Sequence, residues 1–433
     1  MAKVNIFWFR RDFRLDDNVG LFYALKSDNP VLPIFIYDTD IIDKLPKDDA
    51  RLTFIHQSLK DLNNKLKQEH NSSIAFYHGK PIDIFKNIIE EYNVDKVFTN
   101  KDYEPYAVNR DNDINDLLKD NQVEFNTYKD QVIFEKSEVV KGDGEPYLVF
   151  TPYMKKWKKV FKGTEWKNFP SENHLDNLID STNLPELQLS EMGFEESSIK
   201  VSDYHLESEF LENYDNTRDK PSINGTSRLS PYLRFGLVGY RKIVQKALSV
   251  DDETFLNELI WREFYKVILY HYPESVKNSF KKKYDRIEWR NDEAEFEKWK
   301  NGQTGYPIVD AGMRQLNETG WMHNRVRMIV GSFLCKHLLI DWRWGEAYFA
   351  EKLLDYEMSS NVGGWQWVAG TGVDAAPYFR IFNPYSQTDK FDKNKKYINN
   401  WVTEYDTEDY PEPMVEHKKA RERCLETYKS ALN

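Results

Sequence analysis

Cysteine is nearly absent: Cys335 and Cys424 are the only two in 433 residues, too few for a disulfide framework, and no Cys/His cluster has zinc-site spacing. No stretch of about 18 apolar residues occurs, and the N-terminus MAKVNIFWFRRDFR carries arginines where a signal peptide needs an uncharged stretch. Secretion and membrane spanning are therefore not expected, and the chain reads as cytoplasmic. Neither G-x-G-x-x-G after the first apolar run nor G-x-x-x-x-G-K-[ST] is present, which argues against an ordinary dinucleotide or nucleoside triphosphate site. An excess of basic charge is missing as well. With 60 Lys and Arg against 71 Asp and Glu the formal charge is −11, so an anionic partner must be met by a local patch.

What is present is enough apolar matter for sizeable cores, 40% of residues, in a chain longer than the roughly 250 to 300 residues at which a single core stops growing. Two domains are expected. Short apolar or β-branched runs at 4–9, 31–37, 73–78, 96–100 and 123–128 read as strands, with helical periodicity between them, as at Leu52, Ile55, Leu59, Leu62 and Leu66. Alternating strand and helix predicts a parallel, Rossmann-like sheet over residues 1–130. Residues 131–204 are turn-rich and charged and read as a long linker, with one short helix around Pro152 to Phe161. From 205 to 433 apolar residues recur at three and four, so the second domain is expected to be all-helical.

Aromatic residues make up 15% of the chain, and nine of the 12 tryptophans lie at or beyond Trp261. Tryptophan in a helical domain is usually packing, but WMHNRVRM (321–328), DWRWGE (341–346) and NVGGWQWVAGTGVDAAPYFRIFNP (361–384) mix it with Arg, Asn and Asp. Together with WFRRDFRLDDN (8–18), GTSRLSPYLRFG (225–236), ELIWREFY (258–265) and GYPIVDAGMRQL (305–316), these segments resemble the photolyase and cryptochrome family, most nearly its bacterial class I enzymes that split cyclobutane pyrimidine dimers. The resemblance runs from end to end.

The resemblance implies FAD in the helical domain. Thr226, Ser227, Arg228, Leu229 and Ser230 match its pyrophosphate stretch, and hydroxyls before a helix donate to anionic oxygen. Tyr214, Arg327, Asp355, Tyr356 and Glu357 match further flavin contacts, Glu357 standing where relatives more often have Asp. Asn361 matches the residue facing the reactive ring nitrogen, where an amide hydrogen-bonds but does not readily give a proton. Trp365, Trp342 and Trp289 match an electron-conducting chain from flavin to surface. Trp261 and Trp367 match the aromatic walls of a pocket for a flipped-out lesion, a strategy for which photolyases are a standard example. Glu258 matches the acid that hydrogen-bonds the pyrimidine, its pKa expected to rise in an apolar pocket. Asn324 and Met328 match dimer-repair enzymes at positions where (6-4) photoproduct enzymes resemble a histidine pair, which leaves His323 structural. Tyr265 is placed in the same pocket, and Arg218, Arg262, Arg325, Gln387 and Lys390 on the DNA backbone.

The sheet domain of the family carries an antenna pigment, methenyltetrahydrofolate or a deazaflavin. Asn109 matches the folate pattern but Arg110 replaces its glutamate. The expected activity is light-driven repair of dimers in damaged DNA by a monomer, the electron coming from excited reduced FAD. The alternatives are a cryptochrome-type blue-light receptor without repair, (6-4) repair, and an electron-transfer flavoprotein acting on a small molecule.

Overall fold

The computed structural model describes residues 2–432, which form two compact units. The first is built on a five-stranded, all-parallel sheet of order β3-β2-β1-β4-β5: β1 (Lys3–Phe9), β2 (Val31–Asp38), β3 (Ala75–Gly79), β4 (Asn93–Asn100) and β5 (Glu124–Tyr128). Alternate residues of a strand point to opposite faces, and both faces here are covered. Ile6 and Trp8 of β1 enter one core with Phe85, Ile114 and Leu118, while Phe7 and Phe9 enter another with Leu52, Leu59 and Leu66. That double burial is why the strands read as unbroken apolar runs. The helix Ala50–His70 is started by the Asp49 carboxylate, which accepts from two backbone amides, and ended by Asn71 in the left-handed region.

The units divide the chain elsewhere than at 130 and 205. Residues 160–202 and 229–246 belong with the sheet, and 136–159 with the helices, so the expected linker is packed structure. Leu175, Leu178, Leu189, Met192 and Phe194 fill the core on the Ala50–His70 side. The stretch 229–246 is held by charge. Asp130, buried, accepts from Arg14 at 2.7 and 2.8 Å and from Arg241 at 2.8 Å, and Arg241 also reaches Asp17 at 2.9 Å. Gly236 ends the helix Ser230–Phe235 at φ +64, and a Cβ there would lie 2.1 Å from the Arg11 carbonyl oxygen. The arginines and aspartates of WFRRDFRLDDN therefore lock this unit together.

Burial raises the Asp130 carboxyl, but the two guanidiniums outweigh it and hold it down at about 2. A depressed carboxylate stabilises above its unfolded value and loses that contribution as pH falls through the folded one. Asp130 should thus contribute about 2 kcal/mol above pH 4, lost on acidification toward pH 2. Urea midpoints across this range should fall more steeply for the native chain than for Asp130→Asn; equal slopes would refute the clamp.

The second unit contains helices and no strand among the described residues. Its core joins Trp299, Tyr306, Met313, Phe333, Trp342 and Trp365. The run YMKKWKKVFK lies in the helix Phe150–Lys162, somewhat longer than expected. Among the described residues no helix is long and apolar enough to cross a membrane, and no group of three or more His, Cys, Asp or Glu is placed to hold a metal.

Candidate functional site

Four helices of the second unit meet where side chains are small. The helix Met358–Ala369 is crossed by Thr254–His271 at Gly363, whose Cβ would lie 2.3 Å from the Tyr265 ring. Its own Trp365 ring lies against Gly345 of the helix Trp342–Lys352, at 2.1 Å from a Cβ there, and against Gly331 of the helix Asn324–Ser332, at 3.5 Å. Beside Gly364 nothing lies within 4 Å of a Cβ position, so this side of the helix is open. Asn361, Gly364 and Trp367 are all half-buried.

Thr254–His271 is buried around most of its circumference, including Glu263 and Lys266. The exceptions along its middle are Asn257, Glu258, Trp261, Arg262 and Tyr265, half-buried and spaced three and four apart. Such a stripe on an otherwise buried helix lines an opening. Trp261 is covered on one face by Phe150, ring centroids 3.7 Å apart and planes within 8°. Glu258 accepts from Arg218 at 2.6 Å; burial pushes its carboxyl up, the arginine opposing. Asn324 is exposed and Met328 half-buried, one turn apart on their helix. His323 is 2% exposed, its ring accepting the Arg325 amide proton as an N-cap, and burial lowers it to about 4, so it is neutral.

Around the expected flavin contacts Arg327 holds Asp355 through two bonds of 3.1 and 2.9 Å. Glu357 is turned to Lys266, at 2.7 Å, and to Arg262, at 3.4 Å. Arg262, expected on the DNA backbone, is half-buried and pairs with this carboxylate, which as a buried charge needs a partner. Tyr214 is buried edge-on to Phe255, and Tyr356 packs against the core. Asn361 donates to the Glu346 carbonyl at 3.0 Å and to its carboxylate at 2.9 Å, which leaves the amide oxygen free to accept. Glu346 closes the DWRWGE segment without being marked there as a site residue; its hydrogen bond with Asn361 singles it out.

Thr226, Ser227 and Arg228 are half-buried and lie in this unit, whereas Leu229 and Ser230 belong with the sheet unit. Arg228 adopts φ +54, uncommon for any residue other than glycine, and its guanidinium lies 3.3 Å from the centre of the Trp321 ring. It makes no ion pair among the described residues, and burial lowers it to about 10, Arg327 adding repulsion. A partly buried guanidinium short of an anion, beside two hydroxyls, fits a diphosphate.

Trp365 and Trp342 are fully enclosed with no acceptor at their indole nitrogens, and Trp289 is half-buried against the same core. Arg325 pairs with Asp219 at 2.8 Å and lies over Phe391, which Lys390 also approaches; Gln387 is half-buried on the same short helix, Pro384–Phe391.

In the sheet unit Asn109 is exposed on the helix Pro105–Asp120. Arg110 turns inward, 4.8 Å over Trp8 and 3.8 Å from Asp38, at the carboxyl ends of β1 and β2. Open α/β sheets hold ligands beyond these strand ends. Here the guanidinium lies between Trp8 and Asp38, a cation where the folate pattern has a carboxylate.

Comparison with known proteins gives matches over both units. Residues 5–173 match the family model described as DNA photolyase, and 255–407 the FAD binding domain of DNA photolyase. The chain is 36% identical to a deoxyribodipyrimidine photo-lyase of Alkalihalophilus pseudofirmus, covering 98% of this chain and 97% of that one. It is similar to the crystal structure of a bacterial class III photolyase from Agrobacterium tumefaciens, with TM-score 0.88 and 32% identity over 100% of this chain and 98% of that one. A Synechocystis cryptochrome matches with TM-score 0.86 and 25% identity over 99% of both chains.

Proposed function

The chain belongs to the DNA photolyase family, and from that premise we propose that it splits cyclobutane pyrimidine dimers in DNA under light. Bound FAD supplies the light-excited electron. The observation that carries the reading is the half-buried stripe of Glu258, Trp261 and Tyr265 on an otherwise buried helix. Trp261 and Trp367 offer aromatic faces to a flipped pyrimidine pair, for which unstacking from the duplex must be compensated. Glu258, held toward its neutral form, donates a proton to a pyrimidine carbonyl and stabilises charge that arrives there. Asn324 and Met328 lie one turn apart on their helix, Asn324 exposed and Met328 half-buried, and take the remaining pocket positions.

Asn361, its amide nitrogen committed to Glu346, presents an acceptor and keeps any proton on the partner it faces. Arg228, Thr226 and Ser227 take the diphosphate, and Arg327 with Asp355 fixes the neighbouring wall. Arg218, Arg325, Gln387 and Lys390 meet the phosphates around the lesion. The (6-4) reading expects a histidine pair, whereas Asn324 and Met328 stand at these positions and the adjacent His323 is alone and buried. The signalling reading rests on the likeness to the cryptochrome.

The test is an anaerobic assay of chemically reduced protein on a thymine-dimer oligonucleotide, dark against blue light, with a (6-4) oligonucleotide in parallel. Light-dependent recovery of ultraviolet absorbance on the dimer alone is expected. Recovery on neither, with flavin bound and reduced, overturns repair in favour of signalling.

A further inference from the structure

We propose that the lysine face of the helix Phe150–Lys162 is a second DNA-binding element, gripping the sugar-phosphate backbone of the duplex that flanks the lesion. The inference rests on the repair reading and extends it beyond the pocket. In sequence YMKKWKKVFK could extend the basic patch that meets DNA, but a solvated helix face is the simpler reading of the run alone.

Two features of the structure favour DNA contact. The first is where the helix is anchored. Its buried residues are Phe150, Tyr153 and Trp157. Phe150 stacks on Trp261, Tyr153 packs on Phe264 with centroids 5.3 Å apart, and the Trp157 indole donates to Glu263 at 2.5 Å. All three partners lie on the helix that carries Glu258. A rigid element is thus tied, residue by residue, to the wall of the lesion pocket, and its first residue covers one face of a pocket tryptophan.

The second feature is charge. Lys158 is neutralised by Glu253 at 2.7 Å, but Lys155, Lys156 and Lys159 make no ion pair among the described residues. Lys155 and Lys159 are one turn apart with Lys156 beside them, so the three ammonium groups share one face. In a chain of net charge −11, three unneutralised cations on one anchored face are a local exception to the prevailing sign. Lysines about 6 Å apart along a helix suit a polyanion of regular spacing rather than a single small anion. Duplex DNA held with its lesion in the pocket is such a polyanion, and it passes beside the pocket.

The test compares the full-length flavoprotein with Lys155→Gln/Lys156→Gln/Lys159→Gln. Binding to duplex DNA, undamaged and carrying one thymine dimer, is titrated across salt concentration. Removing one ammonium group from a phosphate should lower the slope of log affinity against log salt by about 0.9, so a fall of about 2 to 3 is expected on both duplexes. Light-driven splitting of an isolated dimer dinucleotide, which has no flanking backbone, should be unchanged. An unchanged salt slope overturns the proposal. Failure of the native protein to split the dinucleotide would count against the repair reading, while the slope on undamaged duplex would still decide this one. An unchanged flavin content and far-ultraviolet dichroism check that the variant is folded; should it not be, Lys155→Gln/Lys159→Gln reads the same slope with a fall of about 2.

Discussion

Exchanging Glu258 for alanine should leave flavin bound and cut the dimers split per absorbed photon about tenfold or more. The carboxyl sits on the stripe that lines the opening, and two opposing influences act on it. Burial favours the neutral acid; the Arg218 guanidinium, 2.6 Å away, favours the carboxylate. Arg218 is also one of the residues proposed to meet phosphate. When DNA engages it, Glu258 loses its cation while becoming more deeply enclosed, and both changes raise its pKa further. The proton therefore arrives at the pyrimidine carbonyl when substrate does. Yield should accordingly be highest at low pH and decline as pH rises through the raised value, where Glu258 becomes the anion. Glu258→Gln keeps a donor and should retain more yield than alanine, without that decline. Equal yield per photon for native and alanine proteins would leave Glu258 as the counter-ion of Arg218 and nothing more.

The sequence announces some of this and conceals the rest for identifiable reasons. All five strands were legible because a parallel sheet buried on both faces must be written as apolar runs, and the strands fall within two or three residues of the expected spans. The candidate site residues were marked only by the resemblance of their motifs to the family; the structure adds that Glu258, Trp261 and Tyr265 share one half-buried side of a helix. What spacing does not encode is the partner from elsewhere. Phe150 on Trp261, Glu346 under Asn361 and Asp219 on Arg325 join distant stretches, and none carries a local pattern. The boundaries drawn at 130 and 205 differ from the units for the same reason: Arg241 joins Asp130 and Asp17 by long-range ion pairs, invisible to composition. Glu357, read only as a longer aspartate, reaches Lys266 and Arg262 on the helix Thr254–His271, partners about ninety residues away in sequence. Arg110, read as a departure from a folate pattern, lies over the Trp8 ring, a contact no local pattern announces.

Trp289→Phe should abolish photoreduction of oxidised flavin while leaving repair by chemically reduced protein intact. The proposed donors differ in burial, the two matched to the inner positions being enclosed and Trp289 being half-buried. Trp365 and Trp342 are 3% and 0% exposed, and neither indole nitrogen has an acceptor, so neither can readily shed a proton after losing an electron. On the proposed route each is refilled by the next ring outward. Trp289 is half-buried and within reach of solvent, where its charge is stabilised by water and a reductant can meet it. Phenylalanine conserves packing against Tyr428, whose ring centroid lies 6.0 Å away, but is far harder to oxidise. Tyr428 does not replace the missing donor, since its hydroxyl is buried on the Ala369 carbonyl, which accepts a hydrogen bond but not a proton. The measurement is the rate at which oxidised flavin bleaches under blue light with an external thiol, in native and variant protein. Bleaching at the native rate would remove Trp289 from the route and shift attention to Trp299, buried with its ring centroid 6.1 Å from that of Trp365.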